Sequence, residues 1–393
     1  MGILDASRGI AVLIIAGEAS GDLHGAHLVQ EMLSLNPCLK FYGVGGDQMR
    51  KAGVNLLAHI TDMAVVGITE VLFKLRTIYG VYRSLTRSLA AERPSLVILI
   101  DYPDFNLFFA RAARKQNIPI VYYISPQVWA WRRRRIRQIA RLVKKMIVIF
   151  PFEKEVYEQA HIDVDFVGHP LLDCVRPALS RDKAFQEFSL TPGVLTIGLL
   201  PGSRMSEVAR NLPPLLKAAP AIARQLHPVQ FIIPVAPGLD SRKVSAMVKP
   251  VDPVVVRVVR NSMYDVMHIS DLLLVASGTA TVEAAIVGTP MVVVYRVSPL
   301  SYLLGRLLIK VTNIGMVNII ANKTIVPELV QGDLNPEKVT HTVVNMLRDS
   351  VALETMRRAL RDVKDKLGSP GASHRAAQAI NTLMQQIEPN GQL

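Results

Sequence analysis

Short, almost unbroken apolar runs recur along this chain at helix-length spacing, and that pattern restricts the fold more than any other feature. In the first half they are Ile10–Ala16, Leu96–Ile100, Ile120–Ile124 and Met146–Ile149. In the second half they are Leu195–Leu200, Phe231–Val235, Val254–Val259, Asp271–Ala276 and Met291–Tyr295. Strands apolar on both faces must be covered on both faces, which parallel sheets achieve with their crossover helices. The expected fold is therefore α/β: two Rossmann-like, doubly wound parallel-sheet domains facing across a cleft. The polar stretch RPALSRDKAFQEFSLTPG, with Pro177, Pro192 and Gly193, separates the two series. It sets expected domains at 1–180 and 181–365, with a C-terminal helix in 366–393 packing back on an N-terminal domain, its own or a partner's. At 393 residues the chain can supply a core to each.

The formal charge of +13 calls for an anionic partner: nucleic acid, a phosphorylated substrate or an acidic membrane surface. With only 6% aromatic residues and no zinc-finger or RNA-binding motif, nucleic acid is the weaker choice. No apolar run approaches the ~18 residues of a spanning helix. The first run has no basic region before it, so it reads as a buried strand rather than a secretion signal. Cys38 and Cys174 lack ligand-like spacing and are expected to be buried thiols in a reducing compartment.

In open α/β sheets ligands lie at the carboxyl ends of the strands, so chemistry should concentrate there. After the first strand comes GEASGD, with a helix expected from Leu23. Nucleotide-binding folds hold a phosphate at such a turn, yet this one carries Glu18 and Asp22, which would repel it. LILIDYPDFN places Asp101 at another strand end, with Asp104 as a turn residue, and the next strand ends at Ser125-Pro126-Gln127. These groups suit sugar hydroxyls and the removal of a proton from one of them. Any of the three carboxylates Asp101, Asp22 and Glu18 qualifies as the base.

The second half has the opposite character. LLPGSR ends a strand at Gly202, with Ser203 placed to cap the next helix and Arg204 offering a planar fork to phosphate oxygens. In SGTATVE, the residues Ser277, Gly278, Thr279, Ala280 and Thr281 present N–H and hydroxyl donors at a helix start. Glu283 follows where an acid commonly accepts from ribose hydroxyls. Neither turn fits the P-loop pattern. His24, His27 and His169 read as packing histidines, and no metal or other cofactor is expected.

Two segments look suited to a bilayer surface. MAVVGITEVLFKLRTIYGVYRSL mixes Val65, Val66, Ile68, Val71, Leu72 and Leu75 with Lys74, Arg76 and Arg83. WAWRRRRIRQIARLVKK sets eight basic residues around Ile136, Ile139, Ala140 and Val143 at helical spacing, a pattern that a solvated helix with an apolar stripe on the core also explains.

The ordered set AGEASGD, GVGGDQM, DYPDFN, YYISPQVWAW, FPFE, FVGHP, LLPGSR, SGTATVE and NIIA resembles the bacterial lipid-A-disaccharide synthase family nearly end to end. The resemblance implies a GT-B glycosyltransferase, inverting and metal-independent, cytoplasmic and peripheral to the inner membrane. It implies transfer from UDP-2,3-diacylglucosamine to 2,3-diacylglucosamine 1-phosphate, giving a β-1,6-linked disaccharide and UDP. It also implies a homodimer with exchanged C-terminal segments, an acceptor- and membrane-facing first domain and a UDP-sugar-binding second domain. Asp101 and Arg204 match residues the family needs for activity. Ser277 to Thr281 and Glu283 match its nucleotide-binding segment, and Asn318 falls in NIIA, which lines the same cleft. Four consecutive arginines after Trp131 depart from the family pattern. The rival readings are another GT-B enzyme, of the UDP-N-acetylglucosamine 2-epimerase or lipid-linked peptidoglycan glycosyltransferase kind, and a non-enzymatic basic RNA- or membrane-binding adaptor.

Overall fold

A computed structural model describes residues 9–63, 68–126, 134–248, 254–298 and 313–387, and for 68–75 and 134 it describes the backbone. The chain divides into two compact units, one comprising Met1–Pro170 with Leu367–Leu393, the other Leu171–Lys366.

The first unit holds a seven-stranded sheet in the order β3-β2-β1-β4-β5-β6-β7, and every pairing is parallel. The strands are β1 (Ile10–Ala16), β2 (Leu39–Gly45), β3 (Asn55–His59), β4 (Leu96–Ile100), β5 (Ile120–Tyr123), β6 (Lys145–Val148) and β7 (Asp163–Phe166). Central strands β1 and β4 are apolar on both sides. Leu13, Ile14 and Ile15 of β1 and every residue of β4 are fully buried. At about 1.5–3 kcal/mol per buried large aliphatic side chain, this pair anchors the sheet. The C-terminal helix Ala372–Ile387 packs on the helix Ala19–Leu35. His374 pairs with Glu31 at 2.7 Å, and the Arg375 guanidinium donates to the carbonyl of Val167 at 2.9 Å.

The second unit carries six parallel strands in the order β10-β9-β8-β11-β12-β13. They are β8 (Leu195–Leu200), β9 (Val229–Val235), β10 (Val255–Arg260), β11 (Leu272–Ala276), β12 (Met291–Tyr295) and β13 (Glu328–Val330). Both sheets thus reverse strand order beside their first strand, at β1/β4 and at β8/β11. That reversal opens the crevice where doubly wound folds place ligands.

Several expectations change. The stretch 176–193, read as the junction, is folded onto the second unit. Asp265 accepts from the N–H groups of Ala178 and Leu179 at 2.7 and 2.8 Å, and Phe185, Phe188 and Leu190 bury against Val266 and Ile269. The cysteines are not buried: Cys38 is exposed in the turn before β2, and Cys174 is half-buried. The first helix begins at Ala19 rather than Leu23, which moves Asp22 from the turn into the first helical turn. In the basic segment, Ile139 and Val143 are buried while Arg137, Arg141 and Lys144 are exposed, so its described part is a surface helix with a core-facing stripe. Val65–Gly67, Gln127 and Trp129–Arg133 lie outside the described residues.

Candidate active site

The first switch point places acids at the ends of β1 and β4, where Ala16 pairs with Ile100. Asp101 and Tyr102 both adopt left-handed backbone, with φ of 43° and 47°. Two consecutive non-glycine residues in this region store strain and persist only where neighbours enforce them. The neighbours here are specific. The buried Asn106 amide donates to the carbonyls of Ile100 and Asp101 at 3.1 and 2.8 Å, and the Tyr122 hydroxyl donates to the Asp101 carbonyl as well. The Tyr102 ring lies flat against Gly17, where a Cβ would come within 2.2 Å of the ring. The Asp101 backbone is thereby held by groups other than its own carboxylate.

Burial, reinforced by the Glu18 charge, raises the Asp101 carboxyl to about 6, against a small opposing effect of a backbone bond from Tyr102. Glu18 is the exposed N-cap residue of the first helix. A carboxylate that titrates near neutrality is suited to general-base work.

Asp22 behaves differently. It is 5% exposed, and its carboxylate accepts from Gly46 N at 2.6 Å, Met49 N at 3.0 Å and Gln48 N at 3.1 Å. It caps the short helix Asp47–Lys51 from 24 residues away. A Cβ on Gly46 would fall 2.6 Å from its oxygen, which explains the glycine. The motifs AGEASGD and GVGGDQM are therefore halves of one contact. Three N–H donors engage Asp22, so its geometry is that of a scaffold group rather than a base. Ser125 is likewise spent, its hydroxyl 2.7 Å from that of Tyr157. Burial holds His24 and His169 neutral, lowering them to about 4 and about 3.

At the second switch point, where Val275 pairs with Leu200, sit the turn Pro201–Arg204 and the turn Ser277–Thr279. Ser203 does not cap the next helix. Instead the Glu207 carboxylate accepts from Ser203 N at 3.0 Å and Arg204 N at 3.3 Å. Glu207 stands three residues after the N-cap Arg204, the position from which a carboxylate reaches back to the N-cap N–H. Arg204 is exposed at the start of the helix Met205–Gln225. The buried Asn211 ties this turn down, donating to Pro201 O at 2.8 Å and accepting from Arg296 N at 2.9 Å.

The helix Thr279–Val287 starts from Gly278 at φ 150°, with no side-chain cap and no acid in its first turn. Thr279 is exposed, Ala280 half-buried, and Thr281 fully buried with its hydroxyl donating to Gly278 O at 2.8 Å. Ser277 Oγ donates to Ile314 O at 2.8 Å. Glu283 is raised from its ordinary value by burial, and a 3.1 Å bond from the Tyr264 hydroxyl partly offsets this. Nothing in the local sequence singles out Tyr264. Asn318 does not line an open surface. It is fully buried, its Nδ2 donating to Val326 O and Glu328 Oε1 and its Oδ1 accepting from Ile325 N and Val326 N. With all four polar positions filled, it is a structural knot beneath the 325–328 segment.

Two switch-point turns on two Rossmann-like units, one acidic and one rich in donors, define a GT-B-type fold of the sugar-nucleotide enzymes. The UDP-N-acetylglucosamine 2-epimerase of Neisseria meningitidis, solved with UDP-GlcNAc bound, matches with a TM-score of 0.67 at 14% identity, over 95% of this chain and all of that one. The calicheamicin glycosyltransferase CalG4 matches with a TM-score of 0.61 at 16% identity, over 96% and 99%. These likenesses concern fold. Residues 12–382 match the family model described as lipid-A-disaccharide synthetase. The lipid-A-disaccharide synthase of Syntrophus aciditrophicus (strain SB) is 51% identical over 377 residues, 96% of this chain and 98% of that protein. That of Geobacter sulfurreducens is 46% identical over 366 residues, 93% and 95%. The chain belongs to the lipid-A-disaccharide synthase family.

Proposed function

We propose that this chain is a hexosyltransferase that joins UDP-2,3-diacylglucosamine to 2,3-diacylglucosamine 1-phosphate with inversion, giving the β-1,6-linked lipid A disaccharide 1-phosphate and UDP. The family match across residues 12–382 carries this reading. Epimerase-like and peptidoglycan glycosyltransferase-like enzymes share the fold at 14–15% identity, and an adaptor has no use for the strained, near-neutral Asp101.

Each unit has its task. Asp101 takes the proton from the acceptor 6-hydroxyl as that oxygen attacks the anomeric carbon of the donor. The bond from that carbon to the diphosphate breaks, and its electron pair leaves on UDP. Arg204, Ser203 and the uncapped start of the Thr279–Val287 helix balance the developing charge. Glu283, fixed by Tyr264, receives the ribose hydroxyls. Glu18 acts through Asp101 by raising its affinity for a proton.

No described helix is long and apolar enough to cross a membrane. We place the protein on the cytoplasmic face of the inner membrane as a peripheral homodimer. The exposed rings of Tyr79 and Phe108, linked through Tyr82 and flanked by exposed Arg76, Arg83 and Arg111, support contact with an anionic surface.

The direct test supplies both acylated sugars and measures UDP release together with product mass. UDP release that requires the acceptor, with a disaccharide product, is the expected result. Release without acceptor, or epimerised donor, would overturn the assignment.

A further inference from the structure

The loop 313–315 is held by side chains from two neighbouring elements. Glu328, the first residue of β13, accepts from Ile314 N at 2.9 Å through Oε2 and from Gly315 N at 2.9 Å through Oε1. Its Oε1 also accepts from Asn318 Nδ2 at 2.8 Å. From the opposite side, Ser277 Oγ donates to Ile314 O at 2.8 Å. Both backbone polar groups of Ile314 are thus occupied, its N–H by Glu328 and its carbonyl by Ser277. Gly315 is confined too: a Cβ there would sit 3.0 Å from a Val293 methyl and 3.1 Å from Glu328 Oε1. Among the described residues no lysine or arginine pairs with Glu328. Its partners among the described residues are neutral N–H donors, and bonds from such donors to a carboxylate are stronger than those to a neutral acceptor.

What the clamp leaves on offer is the side chain of Ile314, half-exposed beside the Ser277–Thr279 turn. We propose that Glu328 is a positioning residue for the donor nucleoside, holding Ile314 against the nucleotide turn as an apolar wall for the base. The proposal rests on the reading of Ser277–Thr281 as the UDP segment. It also changes the role of Ser277, whose hydroxyl is directed to the loop and not to a phosphate. Glu328 touches no substrate and acts through the loop.

The test measures UDP affinity by calorimetry and the donor KM and kcat for the wild type, Glu328→Gln, Ser277→Ala and the double variant. Glutamine keeps the volume of Glu328 but turns one acceptor into a donor facing an N–H. Loss of one charge-assisted bond predicts UDP affinity and donor KM weakened about tenfold, with kcat within about twofold of wild type. Because both side chains act on one loop, the double variant should lose clearly less than the product of the two single losses. Multiplicative losses, or unchanged affinity in Glu328→Gln, would overturn the clamp. A kcat that falls with unchanged KM would also overturn it. Should Glu328→Gln fail to fold, Ser277→Ala alone must show the KM shift at constant kcat for the clamp to stand. A wild-type protein that binds no UDP would instead defeat the donor assignment on which the proposal rests.

Discussion

Replacing Asp101 with asparagine separates activity from stability in opposite directions. In the folded chain the Asp101 carboxyl titrates at about 6, raised from 3.8 first by burial and then by the Glu18 charge. If it is the base, turnover follows its ionised fraction: about nine-tenths at pH 7, half at pH 6, about one-tenth at pH 5. The kcat/KM profile of the wild type should therefore show an acid limb with a midpoint near 6. Asp101→Asn removes a general base, which predicts a loss of about 10²- to 10⁴-fold and no limb. Stability moves the other way. The folded chain keeps the proton up to about pH 6 while the unfolded chain releases it near 3.8, so stability falls as pH rises between those values. A shift of about two units corresponds to at most about 3 kcal/mol, reduced by whatever water reaches the strand edge. Asparagine also tolerates φ 43° better than most residues. The variant should melt higher than wild type at pH 7.5, with the gap shrinking at pH 4. Glu18→Gln should lower the midpoint of the acid limb but leave it above 3.8, since burial is the larger cause. Rates by UDP release across pH 4.5–9, with thermal melts at both ends, check the set. An Asp101→Asn protein with substantial activity, or one less stable at pH 7.5, would refute the reasoning.

Asp22→Ala strips the acceptor from buried N–H groups of Gly46 and Met49 and should destabilise the fold by about 1–3 kcal/mol or more, seen in denaturant melts. Its remaining activity should keep the wild-type acid limb, and loss of that limb would return Asp22 to the list of bases. Tyr264→Phe removes the bond that offsets the raised proton affinity of Glu283. The donor KM should rise several-fold and its pH dependence move upward, and an unchanged KM would remove Glu283 from the ribose role. Tyr79→Ser with Phe108→Ser should weaken flotation with anionic vesicles without altering UDP affinity. Equal flotation would place the membrane contact elsewhere.

Most of the nine apolar strands are readable because burial on both faces leaves an unbroken apolar run; β10, a half-exposed edge with Arg257 inside it, is readable from its valines alone. Four strands are not. β2 mixes Gly43, Gly45 and Lys40 into its apolar run, β3 is a half-exposed edge, and β13 has three residues. At the other edge, β7 reads DVDF because Asp163 and Asp165 both pair with Lys145 of β6, at 2.8 and 2.9 Å. The site residues were findable for one reason, the rule that ligands lie at strand carboxyl ends. Which of them are occupied was hidden, because occupancy depends on distant partners. Asp22 is engaged by Gly46, and Glu283 by Tyr264. The resemblance places Asn318 at a cleft through NIIA, and no local pattern reports that 325–328 surround it.

Occupancy also resolves why acids stand where a phosphate is expected. A helix start with unpaired N–H groups attracts an anion, and a carboxylate from the same chain can fill it as well as a ligand can. Asp22 fills the start of Asp47–Lys51, and Glu207 binds the N–H groups of Ser203 and Arg204 just ahead of Met205–Gln225. Thr279–Val287 has no acid in its first turn and no side-chain cap. The chain has supplied its own anion at Asp47–Lys51, so a diphosphate that tried to settle there would have to displace a hydrogen-bonded carboxylate and bear its repulsion. Moving the charge should move the ligand: Ala280→Asp, which puts a carboxylate into the first turn of Thr279–Val287, should abolish UDP binding while the melting curve stays within a few degrees of wild type. UDP binding that survives Ala280→Asp would mean that the diphosphate sits elsewhere and that the acid-free start at Gly278 has no bearing on it.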